Sequence, residues 1–201
     1  MSKYHSVNDG LLTISIGNSK LGHTANIATR PGIDCVNCSE CIKDCYAKKA
    51  YLQYPGVRDA WTRNGLAFRS EDHFPLYDAL AGYLNKYQPR FFRIHVAGDF
   101  LSQFNVDLWA QLATDYPDTK FLAFTKAFDF DYSQVPSNLQ IVFSMWIGME
   151  DTAPNGPRAW LQDGTETRIP SNALECAGHC EGCNMCWHLS EIDRDVYFII
   201  H

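Results

Sequence analysis

No cysteine lies outside two short stretches of this 201-residue chain. No apolar run approaches the roughly 20 residues that a membrane-spanning helix needs, so no membrane partner is expected. The first residues, MSKYHSVNDG, hold no apolar h-region, and no signal peptide is expected. Basic residues are scarce: 17 Lys and Arg stand against 23 Asp and Glu, a net charge of -6. A nucleic-acid surface usually carries a basic excess, so such a partner is disfavoured, although a local basic patch is compatible with the count. No Ser-His-Asp triad and no Walker loop is recognisable. A disordered chain is excluded by a hydrophobic content of 46% and an aromatic content of 13%.

What is present is a pair of cysteine quartets of opposite spacing. Cys35, Cys38, Cys41 and Cys45 read C-x2-C-x2-C-x3-C, and Cys176, Cys180, Cys183 and Cys186 read the same spacing backwards. Disulfides are the plain alternative, since eight is even. Nothing marks the chain as secreted, and cytosolic thiols stay reduced. Cysteines three apart are also cramped for unstrained bridges.

The expected fold is α/β in one domain over 1–201, with the quartet loops 35–45 and 176–186 inserted. LLTISI (11–16) reads as a strand. A Gly-rich polar loop leads from it into the first quartet. Helical composition runs from Cys41 to Pro55, through VRDAWTRNGLAFRS, and from about Pro75, where Leu76, Leu80, Leu84 and Tyr87 keep helical spacing. FFRIHV (91–96), KFLAFT (120–125) and LQIVFSM (139–145) read as strands, and VYFII as a last one. Between the first two, a helix capped by Ser102 buries Phe104, Leu108, Leu112 and Tyr116 and stops at Pro117. Strands alternating with helices imply a parallel sheet.

Alternation within the strands adds to this. Phe92, Ile94 and Val96 share one face, as do Leu122 with Phe124, and Leu139 with Ile141 and Phe143. The opposite face carries Arg93 and His95, Ala123 and Thr125, and Gln140, Val142 and Ser144. Buried parallel strands are usually apolar on both faces, so the polar face reads as lining a cavity. The competing reading pairs Arg93 and His95 with buried carboxylates. A closed barrel typically needs about 250 residues, so an irregular or partial (β/α) barrel is expected. Residues 150–175 read as irregular.

Thiolates favour zinc or iron–sulfur clusters. Structural zinc generally takes two C-x-x-C knuckles a dozen or more residues apart, whereas each quartet here fits in eleven residues. The first spacing is the bacterial ferredoxin run. Two [4Fe-4S] clusters are therefore expected, with zinc as the alternative. Three ligation schemes stay open. Each quartet holds its own cluster; or Cys45 and Cys176 cross over to the opposite one; or three cysteines leave an open iron. The third connects to radical S-adenosylmethionine enzymes, because Cys176-x3-Cys180-x2-Cys183 has their spacing.

The segments GNSKLG (17–22), CYAKKAY (45–51), RIHVAGDF (93–100) and FLAFTK (121–126) resemble a phage-encoded family known by its gene-product number, eighty-eight. The resemblance runs from about residue 10 to 190 and implies a phage or host-cytoplasm setting. That family is distantly similar to radical S-adenosylmethionine barrels, where a Gly-Gly-Glu-Pro segment ends the second strand and binds the methionine amine. Ala97-Gly98-Asp99-Phe100 holds a similar place, with Asp99 in the acidic position, Ala97 for the first Gly and Phe100 for Pro. The resemblance thus implies S-adenosylmethionine as a possible cofactor at Gly98 and Asp99. A tight turn plus a helix-start carboxylate is the other reading of Gly98-Asp99. His95 on the polar face and Lys126 at a strand end complete the expected cofactor-binding set, with Lys126 either meeting an anionic group or simply solvated. His179 and His188 read as surface groups or as supports for the ligands. Electron transfer with a redox partner, or a cluster-stabilised scaffold, ranks ahead of radical catalysis on a small molecule. With zinc, a structural or interaction role would take first place.

Overall fold

The computed structural model describes residues 4–18, 20–38 and 41–199. Nine strands form one sheet: β1 (Tyr4–Val7), β2 (Leu12–Ile16), β3 (Ala25–Asn26), β4 (Phe91–Ile94), β5 (Lys120–Thr125), β6 (Leu139–Ser144), β7 (Arg158–Gln162), β8 (Leu174–Glu175) and β9 (Val196–Ile199). Their order is β1-β2-β3-β4-β5-β6-β7-β9-β8. The first two pairings are antiparallel, and every pairing from β3 to β8 is parallel. The α/β class with a parallel sheet is as the sequence leads one to expect. The strands pair in one line with β1 and β8 at its ends.

The helices are α1 (Tyr46–Gln53), α2 (Pro55–Phe68), α3 (Phe74–Tyr87), α4 (Gln103–Asp115) and the single turn α5 (Leu189–Ile192). Pro55 and Pro75 occupy first-turn positions of α2 and α3, where a missing N–H costs nothing. Cys45 is the residue before α1, so the helical composition from Cys41 begins to act only after the last cysteine. Ser102 precedes α4 as expected but makes no side-chain cap. Asn105 in the first turn reaches back instead and accepts from the Leu101 N–H at 3.1 Å, fixing the chain's entry to the helix.

The main core lies between one face of the sheet and α2, α3 and α4. It includes Leu12 and Ile14 of β2, Phe92 and Ile94 of β4, Leu80 and Leu84 of α3, and Trp109 and Leu112 of α4. Two expected face assignments are overturned. First, β4 ends at Ile94, and His95 takes a left-handed φ of 45°. That turn carries the imidazole to the core side, where it packs against Phe68, Phe100 and Trp109 instead of sharing a face with Arg93. Second, the parallel register sets Phe92 beside Phe121 and Arg93 beside Leu122. Phe121 and Ala123 therefore join the helix-covered core, while Leu122 lies on the opposite side. Both faces of β5 are apolar, so alternation within that strand could not orient it.

The opposite face is covered rather than left as the expected cavity. Leu122, Val142, Ala159, Trp187, Leu189 and Val196 form a second core there, with Phe124, Cys180 and Cys186 packed against it. The C-terminal segment thus folds back under the sheet. Within 150–175, expected to be irregular, β7 forms and pairs with β6 and β9. Phe104, expected in the core, is 36% exposed and stacks on His73 with ring centroids 3.4 Å apart. Trp109 fills the core position instead.

Asn64, fully buried on α2, ties the helix to the sheet. Its side chain accepts from the Thr13 N–H and donates to the Thr13 and Ala28 carbonyls. The next residue, Gly65, presses on the loop before the first quartet. A Cβ there would lie 2.0 Å from Asp34 Oδ2 and 2.8 Å from Arg30 Nε. Alanine normally favours a helix interior by about 1 kcal/mol over glycine. Here Gly65→Ala is expected to destabilise by about 1–3 kcal/mol through overpacking. A thermal melt checks this, and an unchanged or raised midpoint would contradict it.

Candidate metal centres

The first quartet occupies the connection from β3 to α1. Buried Asp34, whose side chain is wholly inaccessible, anchors the start of that connection. Oδ2 accepts from the Arg30 N–H and Nε at 2.9 and 2.7 Å, and Oδ1 from Arg30 Nη2 and Arg69 Nε at 2.8 and 2.6 Å. The Asp34 carbonyl accepts from the Asp99 N–H at 2.7 Å, which lays the cysteine loop across the carboxyl end of β4. Ligands in α/β folds bind at such strand ends. Gly98 permits the approach: its φ is +84°, and a Cβ would lie 1.7 Å from Thr29 Oγ1.

Beyond this anchor the thiols gather. Cys38 and Cys41 Sγ are 3.7 Å apart, and the Gly32 N–H donates to Cys35 Sγ at 3.4 Å. Cys38 also feels the charges of Cys35 and Cys45. Burial pushes the Cys41 thiol up to about 11, with Lys126 acting against it. Asn37 donates to the Lys126 carbonyl at 2.8 Å, linking the loop to the end of β5. Beside Cys41 opens a cleft of about 480 Å³, whose lining includes Asn37, Lys126, Trp146, Met149 and Glu150. Lys126 Nζ stands 5.7 Å from the Trp146 ring centroid.

The second quartet lies between β8 and α5, on the sheet face opposite the helices. The Cys176 N–H donates to the Tyr197 carbonyl at 2.9 Å, and the Cys180 N–H to the Lys20 carbonyl at 2.7 Å. The loop of Asn18 and Lys20 therefore serves as a seat for this quartet. Asn18 Oδ1 shapes it by accepting from the Lys20 and Leu21 N–H groups. Gly22, with φ +61°, lets Glu181 pack against it, since a Cβ would lie 2.3 Å from Glu181 Oε2. Cys180 senses Cys176 and Cys183, and Cys186 senses all three others. Burial pushes Cys186 up to about 12, opposed by Arg93. Among the described residues, no three His, Cys, Asp or Glu side chains form a ready cage for a metal ion.

Arg93 stands on the side of the C-terminal quartet, with Tyr46 also near it. Its guanidinium lies 4.0 Å from the Phe124 ring centroid, and Nη1 is buried without a hydrogen-bond partner. No carboxylate pairs with it among the described residues, contrary to the carboxylate-pairing reading of Arg93 and His95. Burial lowers its pKa to about 10, while Tyr46, Cys186 and Cys180 act to raise it. Tyr46 follows Cys45 and donates from its hydroxyl to the Val96 carbonyl at 2.6 Å. A cationic nitrogen buried without a partner is costly. Thiolates held by a metal would supply the missing negative charge, and neutral thiols would not. The all-sulfur donor sets and the unpartnered Nη1 of Arg93 fit a metal–thiolate group.

The family model described as "Gene product 88" matches residues 8–173. The chain belongs to the Gene product 88 family. Two relatives are the Gene 88 proteins of Mycobacterium phages D29 and L5, 30% and 28% identical over 152 residues. Each alignment covers 70% of this chain and about three fifths of the relative, 61% and 62%. No solved structure matches. The family match includes the first quartet, Arg93 and the Asp99 turn, and ends before Cys176.

Within this Gene product 88 chain, the other expected cofactor-binding residues are placed as follows. Asp99 is buried at the end of β4 with both oxygens engaged. Oδ1 accepts from the Phe100 N–H and Thr125 Oγ1 at 2.8 and 2.6 Å, and Oδ2 from the Lys126 N–H at 2.8 Å. Burial raises its pKa to about 6 against these three donors. Its observed partners tie β4 to β5. His95 has both ring nitrogens buried and unpartnered, and burial lowers its pKa to about 3. It is a neutral aromatic-core group. His179 is exposed, and His188 Nδ1 meets Glu191 Oε2 at 2.8 Å. The sequence reading did not tie Arg93 or Lys20 to a cysteine quartet. An arginine inside an otherwise apolar strand was the available signal for the first.

Proposed function

We propose that the chain is an iron–sulfur protein holding two [4Fe-4S] clusters, one in each quartet, which serves electron transfer or a cluster-stabilised scaffold. The observation that carries this reading is Arg93: a half-buried cation whose Nη1 is shut from water with no carboxylate partner among the described residues, acted on by Cys180 and Cys186. Cys35, Cys38, Cys41 and Cys45 would hold one cluster and Cys176, Cys180, Cys183 and Cys186 the other. When bound, the clusters would supply one-electron chemistry. The chain's own part is to seat each quartet on a stiff support: the Asp34 anchor for the first, the 17–22 loop for the second. The parallel strands would then act as a partial barrel with a sulfur site at its carboxyl end. The setting that goes with phage relatives is the host cytoplasm.

Protein purified without oxygen is expected to carry about eight irons and eight acid-labile sulfides per chain. About two zincs and no sulfide would overturn this and make the quartets structural staples. A second reading, a radical S-adenosylmethionine-type enzyme, is favoured by the cleft beside Cys41 and Lys126. It requires an open iron. Addition of S-adenosylmethionine to the reduced protein should then change its electron paramagnetic resonance spectrum, and an unchanged spectrum rejects it.

A further inference from the structure

The chain is acidic as a whole, with 23 Asp and Glu against 17 Lys and Arg, but one stretch runs the other way. From Cys41 to Arg69 it carries Lys43, Lys48, Lys49, Arg58, Arg63 and Arg69 against Asp44 and Asp59 alone. This stretch folds into α1 and α2, which brace each other. The Tyr51 and Trp61 rings stack with centroids 6.3 Å apart, and the Tyr51 and Thr62 hydroxyls meet at 2.8 Å. Arg63 and Arg69 turn inward, to Thr13 Oγ1 and to Asp34. Lys48, Lys49 and Arg58 are exposed, and among the described residues none of them pairs with a carboxylate.

Helical spacing, about 100° per residue, puts these cations beside exposed rings. Tyr46, Lys49 and Gln53 fall in one line on the outer side of α1, with Lys48 and Leu52 in the next, while Ala47 faces inward. Arg58 stands one turn beyond Tyr54, and its N–H donates to the Tyr54 carbonyl at 3.0 Å. Asp59, next to Arg58 in sequence, faces another side of α2. Tyr46 is 67% exposed, Leu52 64% and Tyr54 52%, so packing does not account for them. Tyr46 is also fixed: its hydroxyl donates to the Val96 carbonyl at 2.6 Å while the ring stays in solvent. A ring already held loses little freedom when a second ring stacks on it. Cations interleaved with exposed rings suit a strand whose phosphates take the cations and whose unpaired bases stack on the rings. We propose that α1 and the start of α2 form a binding face for single-stranded nucleic acid. Lys48, Lys49 and Arg58 meet the phosphates, and Tyr46 and Tyr54 take the bases. A duplex keeps its bases stacked on one another, and an acidic protein segment has charge but no base. The excess of Asp and Glu elsewhere repels polyanions and confines the contact to this face.

The test is fluorescence anisotropy on the full chain, purified without oxygen, with labelled oligothymidine and oligouridine strands, a duplex of the same length and an oligoglutamate peptide. Both single strands are expected to bind at low salt, about tenfold or more tighter than the duplex or the peptide. The tighter of the two names the sugar. Three phosphate contacts give a slope of log K against log salt of about -2. Lys48→Glu combined with Lys49→Glu should weaken single-strand binding by about tenfold or more and flatten that slope. Tyr46→Leu should weaken it by about tenfold and leave the slope unchanged. Metal content and the melting midpoint, measured on each variant, show that the fold is kept. If Tyr46→Leu fails to fold, Tyr54→Ala carries the same expectation. No binding at low salt, equal binding of the duplex or the peptide, or unchanged affinity in either the lysine or the tyrosine variant overturns the proposal. None of these outcomes depends on which metal the quartets hold.

Discussion

Serine in place of Cys38 or Cys41 is expected to remove about half of the iron and sulfide and leave the other half bound. Serine in place of Cys180 or Cys183 should remove the complementary half. The expectation follows from the separate seats of the quartets. One is tied to the ends of β4 and β5 through Asp34 and Asn37, and the other to the 17–22 loop and β9. Cys45 and Cys176 are the discriminating positions. Cys45 lies close enough to Cys38 and Cys41, and Cys176 to Cys180 and Cys186, for electrostatic coupling within each quartet, so local ligation is the expected result. Cys45→Ser should therefore damage the N-terminal site, and Cys176→Ser the C-terminal site. Loss confined to the opposite site in either variant would establish cross-ligation instead. Metal analysis and absorption spectra of the variants decide between them.

Asp34→Ala is expected to cost about 3 kcal/mol of stability, the low end of the range for removing one partner of a buried ion pair. The low end applies because the two arginines differ. Arg69 is 44% exposed and can turn to water, whereas Arg30 is 13% exposed and would be left facing an empty carboxylate site. The loop carrying the first quartet hangs on this anchor, so metal retention at that site should fall as well. The pH dependence has a definite sign. Burial alone would raise the Asp34 carboxyl, but hydrogen bonds from Arg30 and Arg69 outweigh it and hold the group below its ordinary 3.8. Its contribution is therefore fully present above about pH 4 and is lost as pH falls through the depressed folded value. Urea unfolding at neutral pH and near pH 3.5 should show the parent beginning to lose this share of stability and the variant having none to lose. Equal midpoints at neutral pH would refute the anchor role.

The quartets, the α/β class and most elements were legible in the chain because each rests on local chemistry. Cysteine spacing is a property of a loop, Pro55 and Pro75 mark helix starts, and the apolar runs at 120–125 and 139–144 are strands in any context. The short strands β1, β3 and β8 were not legible. Two to four residues carry no period, and their pairing is set by neighbours distant in sequence.

Sequence by itself determined that eight sulfur donors would sit in two tight groups, since two- and three-residue steps hold them together whatever the fold. Tertiary structure alone decided what surrounds them. One left-handed residue moved His95 into the aromatic core, and one register placed Arg93 under the C-terminal segment. An alternating pattern records that a strand has two faces, but not which face each neighbour will cover. The partners of Arg93, Asp34 and Asp99 come from segments as much as about a hundred residues away, so only the folded chain brings those charges together.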